Sequence, residues 1–156
     1  MQVEAITKNI RMSAQKMREV VRQIQGLPAL EAQAVLQVVP RKGARFVAKT
    51  LKSAISNAEH IRDQWNEAKL RGEIASLQSQ VENTSNHKRR NALAHRLAKY
   101  EAFLNSPNRL ALESLRVKEA FAQTATTLKR FTPKARGSAG PILKRNCHVK
   151  IVLTDE

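Results

Sequence analysis

The sequence predicts an α+β domain: a small sheet with three helices, a long basic β-hairpin extension and an inserted antiparallel two-helix hairpin. Three observations predict it. Strand-like residues open and close the chain, around Val3 and Ile6 and again in the alternation Val149, Ile151, Leu153. Between them run stretches with apolar residues at helical spacing, punctuated by Gly26, Pro28 and Pro40. Residues 120–154 hold seven Lys or Arg and no acidic residue, and Pro133, Gly137, Gly140 and Pro141 gather in their middle as turn chemistry.

In chain order, residues 2–10 read as a strand, with Val3 and Ile6 able to join a sheet. Ser13 is a good N-cap for a first helix whose apolar stripe is Met17, Val20, Val21 and Ile24, and Gly26 supplies the stop. Pro28 in a first-turn position starts a second helix with Ala34, Val35 and Val38 inward, and Pro40 ends it. A third helix follows from about Lys42. It sets Val47, Leu51, Ala54 and Ala58 on one face and Arg45, Lys49 and Lys52 in a basic row on another. No Gly or Pro lies between Ala44 and Arg71, so this helix is free to run unbroken into the next segment.

Residues 61–109 change character. Leu70, Ile74, Leu77 and Val81 step by four, three and four, and so do Leu93, Leu97, Tyr100 and Leu104, on either side of the polar turn Asn83, Thr84, Ser85, Asn86. The matching seams predict a self-contained helical arm. At about 1.5 Å per residue it projects roughly 30 Å, with Trp65 and Tyr100 packed inside it, and its removal is expected to cost the core little. Asn105 to Asn108, with Pro107, closes the excursion.

Leu115, Val117, Glu119 and Phe121 then alternate with Arg116, Lys118 and Ala120 as a strand. It leads into two extended stretches, Thr127 to Thr132 and Ile142 to Leu153. Stretches of about 11 residues at roughly 3.4 Å each reach near 35 Å, too far to fold back on a core of this size. The chain thus divides into one domain, residues 1–60 and 110–156 with the hairpin over about 122–153, and the arm at 61–109.

A hairpin that cannot pack on its own domain needs an external partner, and charge selects its chemistry. The formal net charge is +15 over 156 residues. A long one-sign stretch repels itself in water and favours a polyanion beside it. Aromatic residues make up only 4 %, which argues against stacking of successive bases and for phosphate and groove contacts. The single cysteine, Cys147, cannot form an internal disulfide, and a reducing compartment fits. With no apolar signal core and no window near 18 consecutive apolar residues, the chain reads as soluble, cytosolic and unprocessed.

Catalysis and metal binding find no support in the pattern. Cys147 and His148 are adjacent on a strand and point to opposite faces, so they cannot readily share a ligand. His60, His87 and His95 show no ligand spacing, and the "HKRR" run from His87 suits phosphate or solvent equally. The pairs Glu67 with Glu73 and Glu113 with Glu119 sit among Lys and Arg with no nucleophile motif near them. Two other classes compete with an RNA binder. A free-standing DNA-binding or nucleoid protein suits the charge, but the second helix is too apolar and too bracketed by prolines for a recognition helix. A membrane-surface coiled coil would rest on the arm alone, whose charges are too mixed for an anchor.

Three segments resemble the large-subunit ribosomal protein twenty-two family in its bacterial form. They are "IRMSAQKMREVVRQIQG", "LKSAISNAEH" and the series Lys129, Lys134, Ala135, Arg136, Gly137, Ser138, then His148, Val149, Lys150, Ile151, Val152, Leu153. The resemblance covers about residues 1–60 and 110–156. Lys134 stands where the family usually has Arg or His, which keeps the charge and loses the planar fork. Ala14 stands where many members have Pro, and residues 61–109 have no counterpart in the usual pattern. The resemblance implies a structural ribosomal protein of the cytoplasm with no cofactor, metal, membrane or obligate homo-oligomer. It implies ribosomal RNA and neighbouring ribosomal proteins as partners. The RNA-binding residues it implies, together with the basic pattern, are Arg11, Lys16, Arg18, Arg22, Arg45, Lys49, Lys52, Lys129, Arg130, Lys134, Arg136, Lys144, Arg145, His148 and Lys150. It further implies a hairpin tip of Pro133, Arg136, Gly137, Ser138, Ala139, Gly140 and Pro141 in the exit-tunnel wall, facing the nascent chain.

Overall fold

The computed structural model describes residues 1–65, 67–106 and 110–155, the side chains of Glu67 and Ala68 excepted. The elements run β1 (Gln2–Ile10), α1 (Ala14–Ile24), α2 (Ala29–Val38), α3 (Lys42–Gln64), α4 (Glu67–Asn83), α5 (His87–Asn105), β2 (Arg116–Thr124), β3 (Leu128–Pro133), β4 (Ala139–Lys144) and β5 (Cys147–Thr154). This is an α+β fold with two sheets. In the larger, β5 lies between β1 and β2, antiparallel to both, so that Ile151 faces Ala5 on one side and Ala120 on the other. In the smaller, β3 pairs with β4 alone.

The core follows from the helix stripes. Ser13 caps α1, its hydroxyl accepting from the Lys16 N–H, and Gly26 ends the turn at φ +83°, a left-handed value that costs glycine little. That aims Met17, Val20, Val21 and Ile24 at the sheet, where they are buried with Val47 and Leu51 of α3 against Val117, Val149, Ile151 and Leu153. Thr50, buried on α3, is satisfied by the Thr7 hydroxyl at 2.7 Å and its own helix's Phe46 carbonyl at 2.9 Å. Satisfying a buried hydroxyl in this way avoids a cost of about 1–3 kcal/mol.

Val3 and Ile6 both join the sheet as expected, on its opposite faces, Val3 buried and Ile6 46 % exposed, as residues three apart on a strand must be. Three local expectations are corrected. On α2 the buried residues are Ala29, Ala32 and Leu36 instead of Ala34, Val35 and Val38, and Val38 is 82 % exposed. On β2 the register shifts between Val117 and Glu119, so Ala120 and Ala122 turn inward while Glu119 is exposed and Phe121 half-buried. One extra residue in a strand reverses every later face. Finally, α3 does not continue into the arm: it ends at Gln64, with the Trp65 N–H closing on the Ile61 carbonyl at 3.0 Å.

The arm is the expected antiparallel pair of helices, α4 and α5. Asn86 caps α5, its side-chain oxygen accepting from the N–H groups of Lys88 and Arg89. Leu70, Leu77 and Tyr100 are buried, and Ile74, Val81, Leu93, Leu97 and Leu104 are half-buried along the seam. Trp65 stands edge-on to Tyr100 at 4.9 Å and to Phe103 at 5.1 Å, within the arm's base as expected. Phe103 belongs to an apolar cluster continuous with the sheet core, which joins the arm to the domain. Asp155, just after β5, accepts from the Met1 amino group, the Ser106 hydroxyl and the Leu110 N–H. Burial opposes the charge of this carboxylate. The three donors outweigh it and hold the Asp155 carboxyl below the usual carboxylate range. Pro107 and Asn108, expected to close the arm, lie outside the described residues.

Candidate nucleic-acid interface

The hairpin is shorter than the sequence suggests. Its two strands are joined to the core sheet at a node where the Ala125 N–H donates to the Asn146 carbonyl and the Asn146 amide donates to the Thr126 carbonyl, both at 3.0 Å. Residues 147–154 therefore belong to the core as β5. Only β3 and β4 extend beyond it, six residues each, a reach of about 20 Å at roughly 3.4 Å per residue. Every side chain along these two strands is exposed or half-exposed.

The tip is built by backbone geometry. Arg136 at φ 55° and Gly137 at φ 74° are both left-handed, and the turn closes with Ser138 donating to the Ala135 carbonyl through its N–H at 3.3 Å and its hydroxyl at 2.9 Å. Gly140 and Pro141, expected in the turn, lie within β4 opposite Thr132 and Phe131. A Cβ at Gly140 would stand 2.8 Å from Cε of Lys134, the far end of a flexible side chain that can move aside. The Lys134 N–H donates to the Ser138 carbonyl at 2.7 Å. By the alternation of an antiparallel ladder, Pro133 and Pro141 then fall at non-hydrogen-bonded positions, where a missing N–H breaks no bond.

Arg130 is opposite Ile142 and Lys144 opposite Leu128, so the two cations are diagonal neighbours on one face, and Lys134 lies on the same side two alternations nearer the tip. Lys129 is on the other side, Arg145 follows β4 at the hairpin's root, and Arg136 is exposed at the tip. These six make the most numerous group among the expected residues.

His148 and Lys150 lie on the outward face of the core sheet. Cys147 points inward, fully buried, and burial pushes its thiol up. Asn9 at φ 56° forms a bulge in β1, and its N–H donates to Nδ1 of His148 at 3.0 Å. Because Nδ1 accepts, the neutral ring carries its proton on Nε2, the nitrogen left free to donate outward. Lys150 is paired with Glu4, which lessens its availability to an external anion. Lys8 occupies the same outward face, around a depression lined by Ile6, Phe121, Gln123 and His148 as well. Lys8 is not among the residues expected from the sequence, although alternation with the inward Val3 and Ala5 already marks it as outward.

On α1, Lys16, Arg18 and Arg22 are exposed, and Arg18 and Arg22 are one turn apart. Arg18 has a structural duty too, its Nε donating to the Ala122 carbonyl of β2 at 3.1 Å. Arg45, Lys49 and Lys52 are exposed in the expected row on α3, and Arg11 is exposed after β1. The fold thus groups the expected residues into a hairpin face, a sheet face and two helix rows.

A family model for ribosomal protein L22p/L17e matches residues 5–71 and 71–154, its two pieces meeting inside α4. A large ribosomal subunit protein uL22 from Opitutus terrae is 36 % identical over 155 residues, 99 % of this chain and 96 % of that one. Its counterpart from Akkermansia muciniphila is 32 % identical over 156 residues, 100 % and 98 % of the two chains. One from Chloroflexus aggregans is 31 % identical over 156 residues, 100 % and 97 %. Matches of this extent show that the chain belongs to the ribosomal protein L22p/L17e family, structural and non-enzymatic constituents of the ribosome.

Proposed function

We propose that this ribosomal protein binds large-subunit ribosomal RNA through phosphate contacts, and that its hairpin tip, Pro133 to Pro141, lines the polypeptide exit tunnel beside the nascent chain. The observation that carries the RNA reading is the hairpin itself: an extension with no buried side chain, inside a stretch of 35 residues with seven cations and no acid. Such an element gains nothing by projecting into water and much by lying among phosphates. The helix rows of α1 and α3 and the sheet face around His148 extend the footprint over the domain. The tunnel reading rests on the family's resemblance in residues 129–153 and on a tip narrow enough to thread between RNA segments.

Salt dependence tests the RNA reading. Replacing Lys129, Arg130, Lys144 and Arg145 with Ala is expected to flatten the log-log slope of affinity for ribosomal RNA against salt, by roughly 0.7–0.9 for each phosphate no longer neutralised. An unchanged slope refutes the role of the hairpin. For the tunnel reading, deletion of Arg136 to Gly140 is expected to leave folding and subunit assembly intact while changing macrolide sensitivity or nascent-chain stalling. Normal drug response and normal stalling in fully assembled subunits would refute it.

A further inference from the structure

The hairpin has two chemically different faces. Its register puts Leu128, Arg130, Thr132, Gly140, Ile142 and Lys144 on one side. On the other lie Phe131, Pro133, Ala139, Pro141 and Leu143, with a single cation, Lys129, near the root. Phe131 is 79 % exposed, and among the described residues it is the one aromatic side chain left largely open to solvent; Phe46, Trp65, Tyr100, Phe103 and Phe121 are all buried or half-buried. Pro141 is its directly opposed partner, in a non-hydrogen-bonded pair where side chains approach most closely. This face of the ribbon is therefore mainly apolar, with the exposed Phe131 ring on it.

From this we infer that Phe131, seated over Pro141, is a stacking site for one unpaired nucleobase of the RNA that the cationic face grips. The inference rests on the RNA-binding reading and adds a ligand to a face which that reading leaves idle. The partner is chosen by charge. Lys129 stands on the ring's own face, Arg130 and Lys144 on the reverse face and Arg145 at the root, and no carboxylate occurs on either strand to repel phosphate. A purely apolar partner would leave these cations desolvated without counter-charge, whereas a nucleotide supplies a π-face for the ring and a phosphate for the lysine in one unit. The low aromatic content argues against a run of stacked bases and is compatible with one.

The test uses the full chain, a 12-nucleotide oligoadenylate and an abasic strand of equal length and charge. The wild type is expected to prefer the base-bearing strand by about tenfold, within the range of roughly 5- to 150-fold that one stacked base provides. Phe131→Ala should abolish the preference with the salt slope unchanged, and Phe131→Tyr should retain it. Equal affinity of the wild type for both strands, or a preference that survives Phe131→Ala, overturns the inference and leaves the phosphate reading standing. Failure to bind both strands and ribosomal RNA at low salt overturns both readings. In assembled subunits, a photo-crosslinker placed at position 131 should join to RNA; a crosslink to a polypeptide instead would assign this face to a protein partner and overturn the stacking site.

Discussion

Two excursions leave the same small domain, and they are stabilised by opposite means. The helical arm α4–α5 has a buried seam, with Leu70, Leu77 and Tyr100 along it and Trp65 and Phe103 joining its base to the domain. The β3–β4 hairpin has no interior at all. A lone two-stranded ribbon is marginal in water, so this one is ordered by its root and completed by whatever surrounds it. The difference teaches where to look for function. The arm buries its apolar seam without a partner, and the hairpin does not.

Paired aromatic truncations test that contrast most severely. Phe103→Ala should lose about 3–5 kcal/mol of stability, the usual cost of emptying an aromatic core position. Phe131→Ala should stay within roughly 0.5 kcal/mol, as an exposed site does. Chemical denaturation of the two variants decides it, and similar losses would erase the distinction between the excursions. The burial of Phe103 also bears on the expectation that the arm is freely detachable. Its outer part is separate, but its base, with Trp65, Phe103 and Ser106, is shared with the domain.

The next effect in size concerns Asp155, which ties the arm's end to the last strand. Its carboxyl ionises at lower pH in the folded chain than in the unfolded one. The stability it contributes is therefore fully present above the ordinary carboxylate value near 3.9 and is lost as pH falls through the lower folded value. Asp155→Asn should cost about 1–3 kcal/mol near neutral pH and flatten the acid limb of a stability-pH curve. An acid limb identical to the wild type would show that the tie carries no weight. The smallest effect is expected on α2, where Val38→Ser, on a side chain 82 % exposed, should change the unfolding free energy by no more than about 0.5 kcal/mol in a thermal melt.

The failures of sequence reading have physical causes that can be traced residue by residue. The stripe of α1 was legible because polar residues separate Met17, Val20, Val21 and Ile24 cleanly from the outer face. In α2, Leu30, Ala34, Val35 and Val38 are as apolar as the residues that are buried, so periodicity does not select a side; packing of Ala29 and Ala32 against the neighbours does. The reversal within β2 comes from a register shift that alternation alone cannot announce. The sequence overstates the hairpin's length because Val149, Ile151 and Leu153 continue an extended pattern without pause, while the change of sheet happens at Asn146 through side-chain bonding across the gap. For the interface, cations were easy to find by composition and hard to sort by face. Only the register of β3 with β4 parts Lys129 from Arg130 and brings out Phe131.

The placement of β5 has a mechanical consequence. The strand that returns from the hairpin is the middle strand of the core sheet, bonded on one flank to β1 and on the other to β2, and β2 is itself the strand that leads out to β3. A tug along the hairpin axis therefore pulls β2 and β5 together and loads the antiparallel β1–β5 ladder in shear, where many backbone bonds must yield together rather than open one at a time. Resistance to such a pull is set by the rate of forced unfolding and not by equilibrium stability. The hairpin is anchored as a tension member in the centre of its domain, and its root should hold fast under loads that would peel an edge strand away.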